Sequence, residues 1–218
     1  MKPTQQQLDI IEAASAGKNL VIKAFAGCGK TSTLDMVAVA VAKPSLYVAF
    51  NKSIATEASK KFPSYVTCKT INSLAWGAII RSSKSPLAKK LQGFWSFDDI
   101  ADPALPPDEI IPFKLEVIGI VTAFCQSAHT NIGEFAVEYP TTYPGVDTAA
   151  IKLFIDATCP TSPVKMTHDV YLKMFHLDGE ILPYSCIYLD EAQDSNPVTL
   201  AIVANQKHAQ KIVVGDTY

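Results

Sequence analysis

The stretch Ala24-Phe-Ala-Gly-Cys-Gly-Lys-Thr31 lies between an apolar run at residues 20–24 and a segment of helix-forming composition at residues 31–42. It matches the phosphate-loop pattern GxxxxGK[ST], except that Ala24 replaces the first glycine. Gly27 and Gly29 let the backbone turn, so that successive N–H groups point into one anion-sized hollow at a helix N-terminus. The stretch therefore predicts a strand, a phosphate-binding loop and a helix, in that order.

The residue types of this loop also predict its ligand. Lys30 is expected to reach the β- and γ-phosphates of a nucleotide, and the hydroxyl of Thr31 is expected to ligate Mg²⁺. Cys28 occupies a variable position of the pattern, where a cysteine is only tolerated. The predicted nucleotide-binding residues of the loop and the following turn are Ala26, Gly27, Cys28, Gly29, Lys30, Thr31 and Ser32.

A second motif, Ser185-Cys-Ile-Tyr-Leu-Asp-Glu-Ala-Gln-Asp194, is an apolar strand that leads into paired acids. A parallel strand delivers its last residues to the edge of the sheet where ligands bind. Asp190 is expected to hold Mg²⁺ directly or through water, and Glu191 to orient or deprotonate an attacking water. Gln193 follows on the loop, where it could sense the phosphate state. With Lys30, these two acids are the predicted catalytic residues.

Strand and helix patterns alternate along both ends of the chain. Strands are predicted at residues 20–24, 46–50, 65–68, 185–190 and 211–214, and helices at residues 4–14, 31–42, 52–61 and 70–80. Repeated strand–helix units imply an α/β fold, in which helices cover both faces of a parallel sheet. The predicted α/β domain comprises residues 1–81 and 177–218, and residues 82–176 are a mostly helical insertion with helices at 113–128 and 149–157.

Composition limits the class of protein. The 218 residues are 48% hydrophobic and 18% charged, and this composition argues against a disordered chain. The net charge is −2, so a nucleic acid would have to be held by local groups rather than by bulk charge. Five scattered cysteines form no CxxC pair, which is typical of reduced thiols. The polar N-terminus and short apolar runs predict no signal peptide and no membrane span, and hence a cytoplasmic or nucleoid-associated protein.

The motifs together resemble those of the UvrD/Rep-type superfamily 1 DNA helicases. Asp190-Glu-Ala-Gln-Asp194 is similar to motif II of that family, and alanine is common at the first position of its motif I. Further motifs follow in the family's order: Thr4-Gln-Gln-Gln7 (Q motif), Phe50-Asn-Lys-Ser-Ile-Ala55 (Ia), Thr70-Ile-Asn-Ser-Leu-Ala75 (Ib) and Val214-Gly-Asp216 (the start of III). Residues 4–76 and 167–218 carry the resemblance, and residues 82–165 match only by position.

Within the family, the chain is most similar to the F-box DNA helicase branch, although it contains no F-box. The supporting stretches are Gly29-Lys-Thr-Ser-Thr-Leu34, Val48-Ala-Phe-Asn-Lys-Ser53 and Thr167-His-Asp-Val-Tyr-Leu-Lys173. The resemblance implies a RecA-like P-loop NTPase domain, called 1A, interrupted by an insertion called 1B. It also implies ATP and Mg²⁺ as cofactors and a motor that moves on single-stranded DNA, 3′ to 5′.

The resemblance assigns further residues to each ligand. Gln7 would read the adenine edge, and Asp216 would lie at the nucleotide. The residues that would face single-stranded DNA are Phe50, Asn51, Lys52, Thr70, Asn72 and Ser73. In this family a second RecA-like domain in the same protein supplies arginines to the ATP site, and its motifs do not occur before Tyr218. These 218 residues are therefore expected to have little activity alone.

Several alternatives stay open at this stage. Phe50 could be an ordinary core residue, Lys52 a solvated charge, and Thr70 a helix N-cap. Ser32 and Asn72 replace an arginine and a histidine found in the family.

Two further sets of residues are predicted to be structural. His168 and Asp169 are interpreted as a cap for a helix at residues 170–175, and Trp76 and Trp95 as core residues. The competing functions are a truncated, non-motor module that binds nucleotide or DNA and a small-molecule kinase, against which the acidic motif and motif Ia argue.

Overall fold

Five parallel strands form the centre of the α/β fold in the computed structural model, which describes residues 3–25, 27–81 and 83–216. Their order across the sheet is β1-β5-β4-β2-β3, and every neighbouring pair is parallel. The strands are β1 (Leu20–Lys23), β2 (Ser45–Ala49), β3 (Val66–Thr70), β4 (Cys186–Leu189) and β5 (Gln210–Gly215). The predicted α/β class with a parallel sheet, as in RecA-like domains, is confirmed.

Nine α-helices accompany these strands in the described parts of the chain. They are α1 (Gln5–Ser15), α2 (Lys30–Val41), α3 (Lys52–Ala58), α4 (Ile71–Ala75), α5 (Pro107–Gln126), α6 (Ile132–Glu138), α7 (Val146–Thr158), α8 (His168–Asp178) and α9 (Pro197–Ala204). A π-helical turn, Trp76–Ile80, follows α4, and single 3₁₀ turns occur at Ala88–Lys90, Phe97–Asp99 and Ala192–Asp194. None of the described helices is long and apolar enough to cross a membrane.

The chain divides into two compact units. The sheet unit contains the described residues of Met1–Leu74, Ile181–Ser195 and Ile202–Tyr218, and the helical unit contains those of Ala75–Glu180 and Asn196–Ala201. The sheet unit carries all five strands, whereas α5 to α8 lie in the helical unit.

The core of the sheet unit forms between the central strands and α2. Every residue of β2 and β4 is buried, and α2 buries Leu34, Val37 and Ala38 at the helical spacing of three and four residues. The apolar run at residues 20–24 is typical of a buried parallel strand, but one face of β1 is open to solvent, since Val21 is 74% exposed. β1 is an edge strand among the described residues, so its side chains alternate between the core and solvent.

Local capping explains where helices differ from the sequence prediction. Helix α5 begins at Pro107 rather than residue 113, because proline is well suited to the first helical position. Helix α6 was missed, although the side chain of Asn131 accepts from the N–H groups of Gly133 and Glu134 and fixes its start. Helix α9 was missed as well. His168 and Asp169 do not cap α8 from outside, since they form its first turn.

The helical unit buries an amine in its core. Lys173 is 0% exposed, and its Nζ donates to the backbone oxygens of Ser127 and His129. The same Nζ lies 4.1 Å from the centre of the Phe124 ring. Burial lowers the pKa of Lys173 to about 8, because the charged amine has lost its hydration.

We predict a pH-dependent stability difference between the wild-type chain and Lys173→Met. The unfolded chain binds more protons than the folded chain between pH 8 and pH 10.5, so the amine's contribution to stability rises with pH across this window. The wild-type free energy of unfolding should gain roughly 2–3 kcal/mol relative to the variant over this range. Denaturant titrations at stepped pH measure it. Lys165→Met, at an exposed lysine, should retain the wild-type profile, and equal profiles for all three proteins would contradict the prediction.

Candidate nucleotide-binding site

Three adjacent strands bring the predicted loop and acids to one edge of the sheet. β1, β5 and β4 are neighbours and run parallel, so the segments that follow them share one end. Gly27 and Gly29 lie in the loop after β1 with φ angles of 76° and 89°. A Cβ at either position would meet nothing within 4 Å, so the left-handed backbone, rather than crowding, is what requires glycine there. Ala26 lies outside the described residues.

The ammonium group of Lys30 lies between two carboxylates. Its Nζ donates to Oε2 of Glu191 at 2.8 Å and to Oδ1 of Asp216, and the lysine side chain is 8% exposed. Burial alone would lower the pKa of Lys30, but the hydrogen bonds that its ammonium donates to Asp216 and Glu191 outweigh burial and raise this pKa. Hydrogen bonds from Gln193 and Lys30 lower the pKa of Glu191. Both charges are therefore present at neutral pH.

Asp190 is held from three directions. The residue is 4% exposed, and its Oδ1 accepts from the backbone N–H of Glu191 at 3.0 Å. Its Oδ2 accepts from the hydroxyl of Thr31 at 3.3 Å and from the hydroxyl of Tyr47 at 2.6 Å. The two residues predicted to hold Mg²⁺, Thr31 and Asp190, are thus in direct contact.

Tyr47 is the site residue that sequence reasoning missed. It lies in the middle of β2 between apolar neighbours, so its pattern is that of a core strand. The available signal was chemical, because a buried phenol normally needs a hydrogen-bond partner. That partner, Asp190, is 143 positions away in the sequence, and only the pairing of β2 with β4 brings the two together.

Gln193 links the ends of β4 and β5. Its Nε2 donates to Glu191 at 2.8 Å and to Asp194 at 3.2 Å, while its Oε1 accepts from the N–H of Asp216 at 3.0 Å. A Cβ on Gly215 would lie 2.9 Å from that Oε1, so the glycine leaves room for the amide. Glu191 has a φ of 50°, a conformation that costs a non-glycine residue free energy.

Gln7, which is predicted to read the adenine edge, lies on α1 and contacts the first turn of α2. Gln7 forms a capping box with Thr4 and donates from Nε2 to the hydroxyl of Thr33 at 2.9 Å, which ties α1 to α2. Its amide is therefore engaged within the protein. Cys28 and Ser32 are exposed.

Some of the residues predicted to face DNA line two different surfaces of the sheet unit. Phe50 is 59% exposed, so the alternative of a core phenylalanine is wrong, and it lines a pocket of about 150 Å³ together with Thr31, Asp190 and Glu191. The hydroxyl groups of Thr70 and Ser73 lie with Lys52 and Lys69 along a different groove, of about 360 Å³, in the sheet unit.

The remaining predicted DNA-facing residues have local roles. Asn51 caps α3, because its Oδ1 accepts from the N–H of Ile54 at 2.9 Å. The Thr70 hydroxyl accepts from the N–H of Ser73 at 3.2 Å, so it caps α4 as its alternative role required. Asn72 is half-buried and does not line the groove.

The two tryptophans and the His168–Asp169 pair lie within the helical unit, where Trp76, His168 and Asp169 have structural contacts. Trp76 and Trp95 are both half-buried, and Trp76 packs edge-on against Tyr171. His168 contacts the Tyr171 hydroxyl through Nδ1 at 3.1 Å, and Asp169 accepts from the side chain of Gln126. Over the described ranges, no group of three His, Cys, Asp or Glu residues could hold a metal ion. This does not exclude Mg²⁺ at Thr31 and Asp190, because that ion usually combines one or two carboxylates with phosphate oxygens and water.

The chain contains a single arginine, Arg81, which lies in the helical unit. Its Nε donates to the backbone oxygen of Ala78 at 3.0 Å. The sequence of the sheet unit therefore holds no guanidinium group that could contact a phosphate beside Lys30.

Two curated relatives match nearly the whole chain. It is 29% identical to F-box DNA helicase protein 1 of Schizosaccharomyces pombe over 99% of its length, and covers 27% of that protein. It is 30% identical to F-box DNA helicase 1 of Gallus gallus over 98% of its length, and covers 23% of that protein. No protein-family model matches the chain. These similarities confirm the predicted resemblance, and the chain spans about a quarter of the length of the relatives it matches.

We predict that Lys30→Met destabilises the chain in a pH-dependent way. The ammonium lowers the pKa of Glu191, so this contribution is present above the ordinary glutamate pKa and is lost as the pH falls through the lower, folded-state pKa. At pH 7 the loss should be roughly 1–3 kcal/mol, and it should shrink toward pH 3. Urea titrations at both pH values, with the exposed Lys18→Met as control, measure it. A loss that is unchanged at pH 3 would rule out this electrostatic origin.

Proposed function

We propose that this chain, which is related to the F-box DNA helicases over nearly its whole length, is the ATP-binding part of an ATP-dependent DNA helicase or translocase acting on single-stranded DNA. The observation that carries the proposal is the arrangement at one edge of the sheet, where Lys30 is held by Glu191 and Asp216 beside the contact between Thr31 and Asp190. The names of both relatives support DNA helicase activity for those proteins.

The residues present fit a magnesium–nucleotide complex. The site contains three carboxylates, those of Asp190, Glu191 and Asp216, against the ammonium of Lys30, so it has an excess of negative charge. Such a site favours a divalent cation and would repel a metal-free triphosphate. The N-terminus of α2 has no side-chain cap, which leaves backbone N–H groups for phosphate oxygens. When bound, Mg-ATP supplies the phosphoanhydride that is cleaved.

Each side chain of the site has a role that follows from its position. Lys30 would bind the β- and γ-phosphates, and its two carboxylate partners already hold the ammonium in place. Thr31 and Asp190 would hold Mg²⁺. Glu191 would orient the attacking water, because hydrogen bonds keep its carboxylate ionised and fixed.

A DNA-binding surface is proposed on the same unit. Lys52, Lys69, Thr70 and Ser73 line one groove, where ammonium and hydroxyl groups suit a phosphate backbone. Phe50 presents an exposed ring, and stacking of a base on such a ring contributes about 1–3 kcal/mol. The 3′ to 5′ polarity is proposed from the family resemblance alone.

The lack of an arginine in the sheet unit favours slow hydrolysis by these 218 residues. Arginines that stabilise the transferring phosphoryl group increase the rate of related NTPases by about 10³–10⁵-fold. The same observation supports a second candidate, a non-motor module that binds nucleotide or DNA without moving along it. ATP turnover in the presence of DNA separates the motor from the non-motor module only in a longer protein that supplies such arginines.

We predict that Lys30→Ala abolishes Mg-ATP binding by this chain. The substitution removes the ammonium and leaves the carboxylates of Glu191 and Asp216 facing the phosphates. Titration with a fluorescent ATP analogue in the presence of Mg²⁺ should give saturable binding for the wild type and none for the variant. Lys18→Ala, an exposed lysine of the same unit, should bind as the wild type does. Undiminished binding by Lys30→Ala would refute the proposed ATP site.

We also predict slow ATP hydrolysis by these residues, with little stimulation by single-stranded DNA. The physical reason is that the sheet unit contains no arginine that could stabilise the developing charge. Phosphate release is measured with and without an oligonucleotide, and Glu191→Gln gives the background rate. Robust, DNA-stimulated turnover that disappears in Glu191→Gln would show that the sheet unit needs no further catalytic group.

A further inference from the structure

The hydroxyl of Tyr47 makes the shortest of the hydrogen bonds to Asp190 described above. It donates to Oδ2 at 2.6 Å, a length typical of a charge-assisted bond between a hydroxyl and a carboxylate. Both residues are buried, and Tyr47 is 0% exposed. Between buried groups, a bond of this kind fixes the direction of the carboxylate strongly.

Aromatic neighbours pack around the ring of Tyr47. Tyr47 lies on β2 directly opposite Tyr188 of β4, and its ring centre lies 4.8 Å from that of Phe62. Phe62 also packs against Tyr188, with ring centres 6.4 Å apart. Two buried tyrosines thus share one aromatic neighbour, but the hydroxyl of Tyr188 lies near Cys186 and Ser45, whereas that of Tyr47 reaches Asp190.

The hydrogen bonds to Asp190 restrict how it can approach a metal. Each carboxylate oxygen offers about two acceptor positions. Both positions on Oδ2 are used, by Tyr47 and by Thr31, and one on Oδ1 is used by the N–H of Glu191. One acceptor position, on Oδ1, is left for Mg²⁺ or for a water bound to it, so Asp190 cannot chelate the metal through both oxygens.

We propose that Tyr47 is a positioning residue of the metal site, which holds Asp190 so that a single carboxylate oxygen faces Mg²⁺. The inference rests on the proposed function, because it assigns a role within the proposed magnesium–nucleotide site. A neutral hydroxyl suits this role, since an ammonium in its place would offset the negative charge that attracts the cation.

The protonation state of the phenol agrees with that role. Burial, followed by the neighbouring Asp190 carboxylate, raises the pKa of Tyr47. The hydroxyl therefore keeps its proton at neutral pH, and it remains a donor. Thr31 donates through its proton as well, which leaves the lone pairs of its oxygen available to a metal.

Tyr47→Phe removes one hydroxyl and keeps the ring, and Tyr188→Phe is its matched control on the opposite strand. Binding of a fluorescent ATP analogue is titrated with MgCl₂, from a metal-free solution containing EDTA upward. We expect the Mg²⁺ concentration at half-maximal binding to rise about tenfold or more in Tyr47→Phe, as is typical when a partner of a metal ligand is lost. Metal-free binding should not change, and Tyr188→Phe should match the wild type in both measurements.

Three results would overturn the proposal. A loss of thermal stability in Tyr47→Phe with an unchanged Mg²⁺ midpoint would give the phenol a structural role only. An equal weakening of binding with and without metal would also exclude a role specific to the metal. If the wild type shows no Lys30-dependent binding of Mg-nucleotide at all, the proposed function itself fails and the positioning role fails with it.

A measurement without substitution covers the case in which Tyr47→Phe does not fold. In the wild-type chain labelled with ¹³C at tyrosine Cζ, one buried tyrosine resonance should move with the same Mg²⁺ midpoint as nucleotide binding. It should also move in Tyr188→Phe, which excludes Tyr188 as its source. A set of tyrosine resonances that does not respond to Mg²⁺ and nucleotide would contradict the proposal.

Discussion

The ammonium of Lys30, held between the carboxylates of Glu191 and Asp216, is the interaction on which the candidate site depends. It joins the loop after β1 to the ends of β4 and β5, which are more than 150 residues away in the sequence. Without this cation, carboxylates that are largely removed from water would repel one another across the edge of the sheet. The ion pair therefore does two things at once, since it stabilises the packed ends of three strands and orients the group that would meet a phosphate.

The parallel sheet makes this convergence possible. Because β1, β5, β4 and β2 are successive neighbours with one direction, the segments following the first three strands meet at the same edge, and Tyr47 reaches Asp190 from the fourth. If β4 and β5 were antiparallel, the acids that follow these two strands would lie at opposite edges of the sheet. Gly27, Gly29 and Glu191 at this edge are among the residues with positive φ, a conformation that costs Glu191 free energy.

The parts of the site that the sequence predicted are those that depend on neighbours along the chain. The loop at residues 24–31 and the acids after residue 189 are local patterns between elements of recognisable period, and both lie where those patterns indicate. Tyr47 and the exposure of Val21 depend on which strands pair and which lie at an edge, and periodicity carries no such information. Phe50 shows the same limit, since an aromatic residue after a buried strand has the same sequence pattern whether its ring is buried or exposed.

The charged side chains of the candidate site affect cation binding and phosphoryl transfer differently. At the candidate site, the carboxylates of Asp190, Glu191 and Asp216 outnumber the ammonium of Lys30, an excess of negative charge that favours a divalent cation. Phosphoryl transfer further requires positive charge at the γ-phosphate, and the ammonium of Lys30 is already paired with two acids. The negative charges of these two carboxylates offset much of the field that the ammonium would otherwise exert on a phosphate. On the proposed function, fast turnover would therefore need cationic groups from outside the sheet unit.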